Sequence, residues 1–118
     1  MVFSILVTAP PVGGSGAAAA LRFARAALAA GHGVRQVFFH GDGVAALVAV
    51  DPPGGAPDLA AGWAELSSAH GFPLLACETA LVRRGLDRCA ATGPVRPGTL
   101  GQFMVALSDA GRVVQFRD

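Results

Sequence analysis

Short apolar, β-prone runs alternate with segments of helical period along this chain, and that alternation limits the fold more than any other feature. Val2–Val7, Val34–Phe39 and Phe72–Ala76 read as strands, and Arg112–Phe116 as a last one. Between them the spacing predicts a helix from Ser15 to Ala30, with Leu21, Ala24 and Leu28 on one face and Gly31 as its stop. Asp58 reads as the cap of a second helix reaching Ala69, with Leu59, Trp63 and Leu66 at helical spacing. A third follows Cys77 and ends at Arg83-Arg84-Gly85, and a fourth runs from Thr99 to Ser108. His40-Gly41-Asp42-Gly43 reads as a turn into the apolar segment Val44–Val50, Asp51–Pro57 as a loop, and Asp87–Pro97 as irregular. Apolar strands that alternate with helices imply an α/β fold with a mostly parallel sheet buried on both faces. A chain of 118 residues supports one core, so a single three-layer α/β/α domain over 1–118 is expected.

Composition removes several chemistries. All nine cations are arginine, which excludes a lysine Schiff base and a phosphate-loop lysine. A net charge of +1 gives no electrostatic case for direct nucleic-acid binding. Only 14% of residues are charged and 53% are apolar, a balance that favours burial of some surface against another subunit. No apolar run reaches membrane-spanning length uninterrupted. The opening Met1-Val2-Phe3-Ser4-Ile5-Leu6-Val7-Thr8 reads as a buried strand rather than a secretory leader, so a cytoplasmic location is expected.

Cys77 is the candidate catalytic residue. An apolar strand runs into it and an amphipathic helix leaves it. A thiol at such a junction meets unpaired amides and the positive end of a helix dipole, which favour the nucleophilic thiolate. The same position also suits a small buried hydrophobe, and the pattern leaves both readings open. Cys89, in Leu86-Asp87-Arg88-Cys89-Ala90, has no helix start after it; it reads as structural, with a resolving role left open. Metal ligation is not expected, because His32, His40 and His70 are widely spaced and neither cysteine belongs to a Cys-x-x-Cys pair. His32 and His70 flank helix-ending glycines, which suits contact with terminal carbonyls. Gly14-Ser15-Gly16-Ala17-Ala18-Ala19 matches a dinucleotide fingerprint loosely and reads as a turn for close helix packing. Asp42, Arg83 and Arg84 read as solvated charges.

The chain resembles the DsrE/TusD family of sulfur-relay proteins over almost its full length. The resemblance rests on Val7-Thr8-Ala9-Pro10, Ala29-Ala30-Gly31-His32, Val37-Phe38-Phe39, Gly43-Val44, Asp58-Leu59, Trp63, His70-Gly71 and Ala76-Cys77. Its specific parts are Cys77 with Arg83-Arg84-Gly85, and the ending Arg112-Val113-Val114-Gln115-Phe116. It departs from the family at Ala9, Pro11 and Leu86–Pro97. The resemblance implies a flavodoxin-like DsrE fold and assembly as a trimer or hexamer, with itself or with TusB-like and TusC-like subunits. It implies a sulfurtransferase that takes sulfane sulfur as a persulfide on Cys77 from a TusA-like donor and passes it to a TusE-like acceptor. The cargo would serve 2-thiouridine synthesis in tRNA, without metal or organic cofactor. Its alternatives are a non-catalytic subunit of a TusBCD- or DsrEFH-type complex and a carrier in dissimilatory sulfur oxidation.

Overall fold

The computed structural model describes residues 1–11, 14–47, 58–86, 95–107 and 111–117. Strands β1 (Val2–Val7), β2 (Gly33–Phe39), β3 (Leu74–Cys77), β4 (Val95–Gly98) and β5 (Arg112–Phe116) form one sheet in the order β4-β3-β2-β1-β5. Every neighbouring pair is parallel. Helices α1 (Gly16–Ala29), α2 (Leu59–His70), α3 (Glu78–Arg83) and α4 (Leu100–Ala106) connect them, with a 3₁₀-helix over Gly41–Leu47.

The topology fixes the layers. From β1 to β4 each crossover steps the same way, so right-handed connections place α1, α2 and α3 on one face. The return from β4 to β5 reverses direction and brings α4 to the other. Ring contacts agree. On the first face Phe3 meets Phe23 of α1 at 5.1 Å and Phe39 meets Trp63 of α2 at 5.5 Å. On the second, Phe38 meets Phe103 of α4 at 5.4 Å. The α/β class and parallel sheet expected from the sequence are therefore what the chain forms. No helix among the described residues is long and apolar enough to cross a membrane.

Local chemistry starts and stops the helices as their residues dictate. Asp58 accepts the Ala61 N–H at 3.0 Å, and Thr99 and Gln102 form a reciprocal capping box at the start of α4. α1 ends in a Schellman arrangement: Gly31 takes φ 88°, and the His32 N–H reaches back to Ala27 O at 2.9 Å. The His32 ring packs edge-on against Phe3 at 5.8 Å. Two buried polar side chains tie α4 to the sheet. Gln36 Nε2 donates to Ser4 Oγ at 3.3 Å and to Phe103 O at 3.2 Å.

Three expectations are corrected. Val95–Pro97, the end of the stretch read as irregular, belongs with Gly98 to strand β4, held by pairing with Leu74–Cys77 at the sheet edge. Its one proline lies where a missing N–H is tolerated. The segment from Gly41 is a 3₁₀-helix through Leu47 rather than a turn leading into an apolar run. β3 starts at Leu74 and includes Cys77, rather than covering Phe72–Ala76. The loop Asp51–Pro57, most of Leu86–Pro97 with Cys89, and the expected end of α4 at Ser108 lie outside the described residues.

Candidate active site at the carboxyl ends of β2 and β3

Open parallel sheets collect ligands and reactive groups beyond the carboxyl ends of their strands. Cys77 is the last residue of β3, paired with Gly98 of β4, and it is also the N-cap residue of α3 with φ −60° and ψ 115°. The strand–thiol–helix handover expected from the sequence is present. Its consequences are narrower than expected, because α3 has only six residues and the Cys77 side chain makes no capping hydrogen bond. The thiol is 8% exposed, free of any disulfide, and belongs to the apolar core. Ala80 and Leu81 form the buried side of α3, while Glu78 and Val82 face solvent.

Asp42 and Arg84 are not independently solvated as the sequence suggested. Arg84 Nη2 meets Asp42 Oδ1 at 2.7 Å, and Arg84 Nη1 donates to Ala80 O at 3.4 Å. This partly exposed pair contributes at most about 1 kcal/mol. Its use is geometric: it ties the end of α3, which follows Cys77, to the 3₁₀-helix that follows β2. Arg83 is exposed. Gly85, at φ 67°, ends the helix in a conformation that favours glycine.

The three histidines separate. His32 and His70 end helices that return to the amino ends of the strands, whereas His40 follows Phe39 at the carboxyl end of β2. The His40 N–H donates to Val7 O at 2.9 Å, and its carbonyl accepts the Gly43 N–H at 3.0 Å. Its ring lies 5.9 Å from Phe38. Its Nδ1 is buried and has no hydrogen-bond partner. The sequence reading gave His40 no part in the site. The available signal was that it directly follows the apolar run Val34–Phe39, as Cys77 follows Phe72–Ala76. Among the described residues no group of three or more His, Cys, Asp or Glu converges as a metal would require.

Glycines hold this end of the molecule close. A Cβ on Gly43 would lie 2.2 Å from Val7 O and 2.8 Å from Val7 C, both backbone atoms that cannot swing aside. Gly43→Ala is therefore expected to lower stability by about 1–3 kcal/mol, read as a drop in the urea midpoint. Gly101→Ala is the control, since its nearest contact would be Thr99 Oγ1 at 3.7 Å, and its midpoint is expected not to fall. Gly16 plays a similar part at the first loop, where a Cβ would lie 2.0 Å from Arg117 O. That close approach fits the packing role read for Gly14–Gly16.

Comparison with known proteins gives a consistent result. The family model described as DsrE/DsrF-like matches residues 1–116. A protein named Sulfurtransferase TusD from Salmonella arizonae is 37% identical over 128 aligned positions, covering 98% of this chain and all of that relative. Proteins of the same name from Serratia proteamaculans and Sodalis glossinidius are 35% and 38% identical and cover 97% and 96% of the chain. Among solved structures, the YchN protein of E. coli superposes with a TM-score of 0.78 at 22% identity, over 98% of this chain and 97% of that one. That last likeness concerns the fold.

Proposed function

The chain belongs to the DsrE/DsrF-like family, and on that premise we propose that it is a sulfurtransferase of a sulfur relay, with Cys77 as the residue that carries the sulfur. The observation that supports this reading best is the placement of a free thiol at the carboxyl end of β3, in a chain whose full-length relatives are named sulfurtransferases.

The chemistry is thiolate exchange. Cys77 thiolate attacks the outer sulfur of a donor persulfide; the new S–S bond forms at Cys77, and the donor leaves as a thiolate. Cys77 then holds the sulfur as Cys77–S–SH. An acceptor thiolate attacks that outer sulfur, becomes the persulfide itself and releases Cys77 as thiolate. No change in total oxidation level occurs, so the cycle needs no external oxidant. The low exposure of Cys77 suits a carrier, since a persulfide open to solvent would lose its sulfur to any passing thiol.

The finer reading follows the family. Donor and acceptor are TusA-like and TusE-like proteins of the cytoplasm, and the sulfur is destined for 2-thiouridine in tRNA. The protein works with TusB-like and TusC-like subunits or with copies of itself. Leu100, Met104 and Val105 on α4, and Val113 on β5, are large apolar residues left exposed, as a subunit surface would be.

Loading the protein with a persulfide donor and weighing it intact tests the reading. One added sulfur, mapped to the peptide that contains Cys77, is the expected result. An unloaded protein, or sulfur found on Cys89 alone, overturns it and leaves Cys77 as a packed side chain in a non-catalytic subunit.

A further inference from the structure

Cys77 ends β3, and His40 follows the last residue of the neighbouring strand β2. Phe39 is the register partner of Ala76, and His40 and Cys77 are the residues that directly follow this pair. Adjacent parallel strands lie about 4.8 Å apart. The pairing carries to that point, because the His40 N–H still donates to Val7 O in the β1–β2 ladder and β3 still pairs at Cys77. Alternation puts His40 on the face of Phe38, and Cys77 on the face of Leu75. Phe38 and Leu75 are themselves register partners, so this is a single face, and the ring contact of His40 with Phe38 agrees.

Buried polar atoms without partners are uncommon, and each costs about 1–3 kcal/mol. His40 Nδ1 is such an atom, one strand away from the only free thiol among the described residues. Among the described residues few charges compete for it. β1 and α4 carry no titratable residue, and β3 carries only Cys77. On the other elements around the pair, Asp42 and Arg84 are tied to each other, while Glu78, Arg83 and Arg96 are exposed. α2, with Glu65 and His70, packs on the opposite face, and Arg35 lies toward the far end of β2.

We infer that His40 is the proton-exchanging partner of Cys77, an assignment that deepens the carrier reading and rests on it. His40 takes the proton of the Cys77 thiol. The thiolate bonds to the outer sulfur of R–S–SH, the donor's S–S bond breaks, and His40 returns its proton to the departing R–S⁻. The net change is Cys77–SH plus R–S–SH giving Cys77–S–SH plus R–SH. In the second half His40 takes the proton of the acceptor thiol and delivers it to the Cys77 thiolate that is released. The persulfide places its outer sulfur about 2 Å beyond Sγ, extending the group that the orphaned nitrogen has to meet.

The test is the pH profile of Cys77 alkylation by iodoacetamide in a Cys89→Ser background, beside single-turnover sulfur loading from a persulfide donor. His40→Phe keeps a ring against Phe38, and His40→Gln serves if that variant fails to fold. A thiol left to itself is only a few per cent thiolate at pH 7. Both reactions are therefore expected to slow about tenfold at pH 7, and the alkylation rates of parent and variant to converge near pH 10. Superimposed alkylation profiles, or a constant offset at every pH, overturn the assignment. If the profiles differ as expected but the parent takes up no sulfur, the pairing stands and the carrier reading falls.

Discussion

Cys77→Ser is expected to abolish sulfur uptake completely while leaving the fold in place. The loss is total rather than fractional because the residue is a covalent carrier. A serine hydroxyl is not ionised near neutral pH, and thiolate exchange has no counterpart at oxygen. The structure also indicates why stability should change little. Cys77 is 8% exposed, so an unpartnered hydroxyl there would cost about 1–3 kcal/mol. Yet Cys77 occupies the N-cap of α3, where serine is among the preferred residues and its oxygen can accept an N–H that the thiol leaves unpaired. The two effects oppose one another at the same atom. Intact-mass detection of single-turnover loading, with circular dichroism melts alongside, separates chemistry from folding. Uptake in the serine variant equal to that of the parent would mean that another residue carries the sulfur.

The sequence made some of this legible for physical reasons that differ by element. β1 and β2 are central parallel strands, so their runs of apolar residues are long and distinctive. Helix ends were readable where a single residue decides them, as at Asp58, Gly31 and Gly85. β4 was not readable. Of Val95-Arg96-Pro97-Gly98 only Val95 offers a buried large side chain, and Pro97 and Gly98 are turn formers. Strand conformation there is imposed from outside, by the edge of β3. The 3₁₀-helix was hidden for a similar reason. His40-Gly41-Asp42-Gly43 carries turn chemistry, and what prolongs it is the fit of Gly43 against the Val7 carbonyl, a tertiary contact.

The site shows the same division. That Cys77 ends a strand and starts a helix could be read from local pattern alone. That pattern left a buried filler and a reactive thiol equally open, and only the family resemblance favoured the second. Asp42 and Arg84 stand 42 residues apart in the chain, and nothing local pairs them. Nothing in its own segment marks His40, because its meaning depends on strand order. It neighbours Cys77 only because β2 lies next to β3 with Phe39 set against Ala76, and register is a property of the folded sheet. Residues whose role depends on their own segment were found; residues whose role depends on a neighbouring strand were not.

Trp63→Ala is expected to cost about 3–5 kcal/mol, a large share of the roughly 5–15 kcal/mol that holds a small domain together. Trp63 is fully buried, with its ring edge-on to Phe39 at 5.5 Å and 86°. The neighbouring turn of α2 cannot move in to fill the gap. Gly62 already sits where a Cβ would lie 2.6 Å from Leu21 Cδ2 of α1, so the two helices are in close contact. The indole Nε1 is buried without a partner, so Trp63→Phe removes an unsatisfied donor along with some ring volume and is expected to cost much less than the alanine variant. Urea unfolding followed by circular dichroism measures both, since Trp63 is the only tryptophan and fluorescence disappears with it. At about 1–3 kcal/mol per molar urea, the alanine variant should lose roughly 2 M from its midpoint. Equal midpoints for the two variants would show that ring volume is not what α2 contributes. The loss should also reach the site. Phe39 ends β2 immediately before His40 and is paired with Ala76 immediately before Cys77. Trp63 thus supports both strand ends from the face opposite the thiol. Cys77 in the alanine variant should alkylate faster under native conditions, as local opening at the strand ends exposes a side chain that the parent keeps covered.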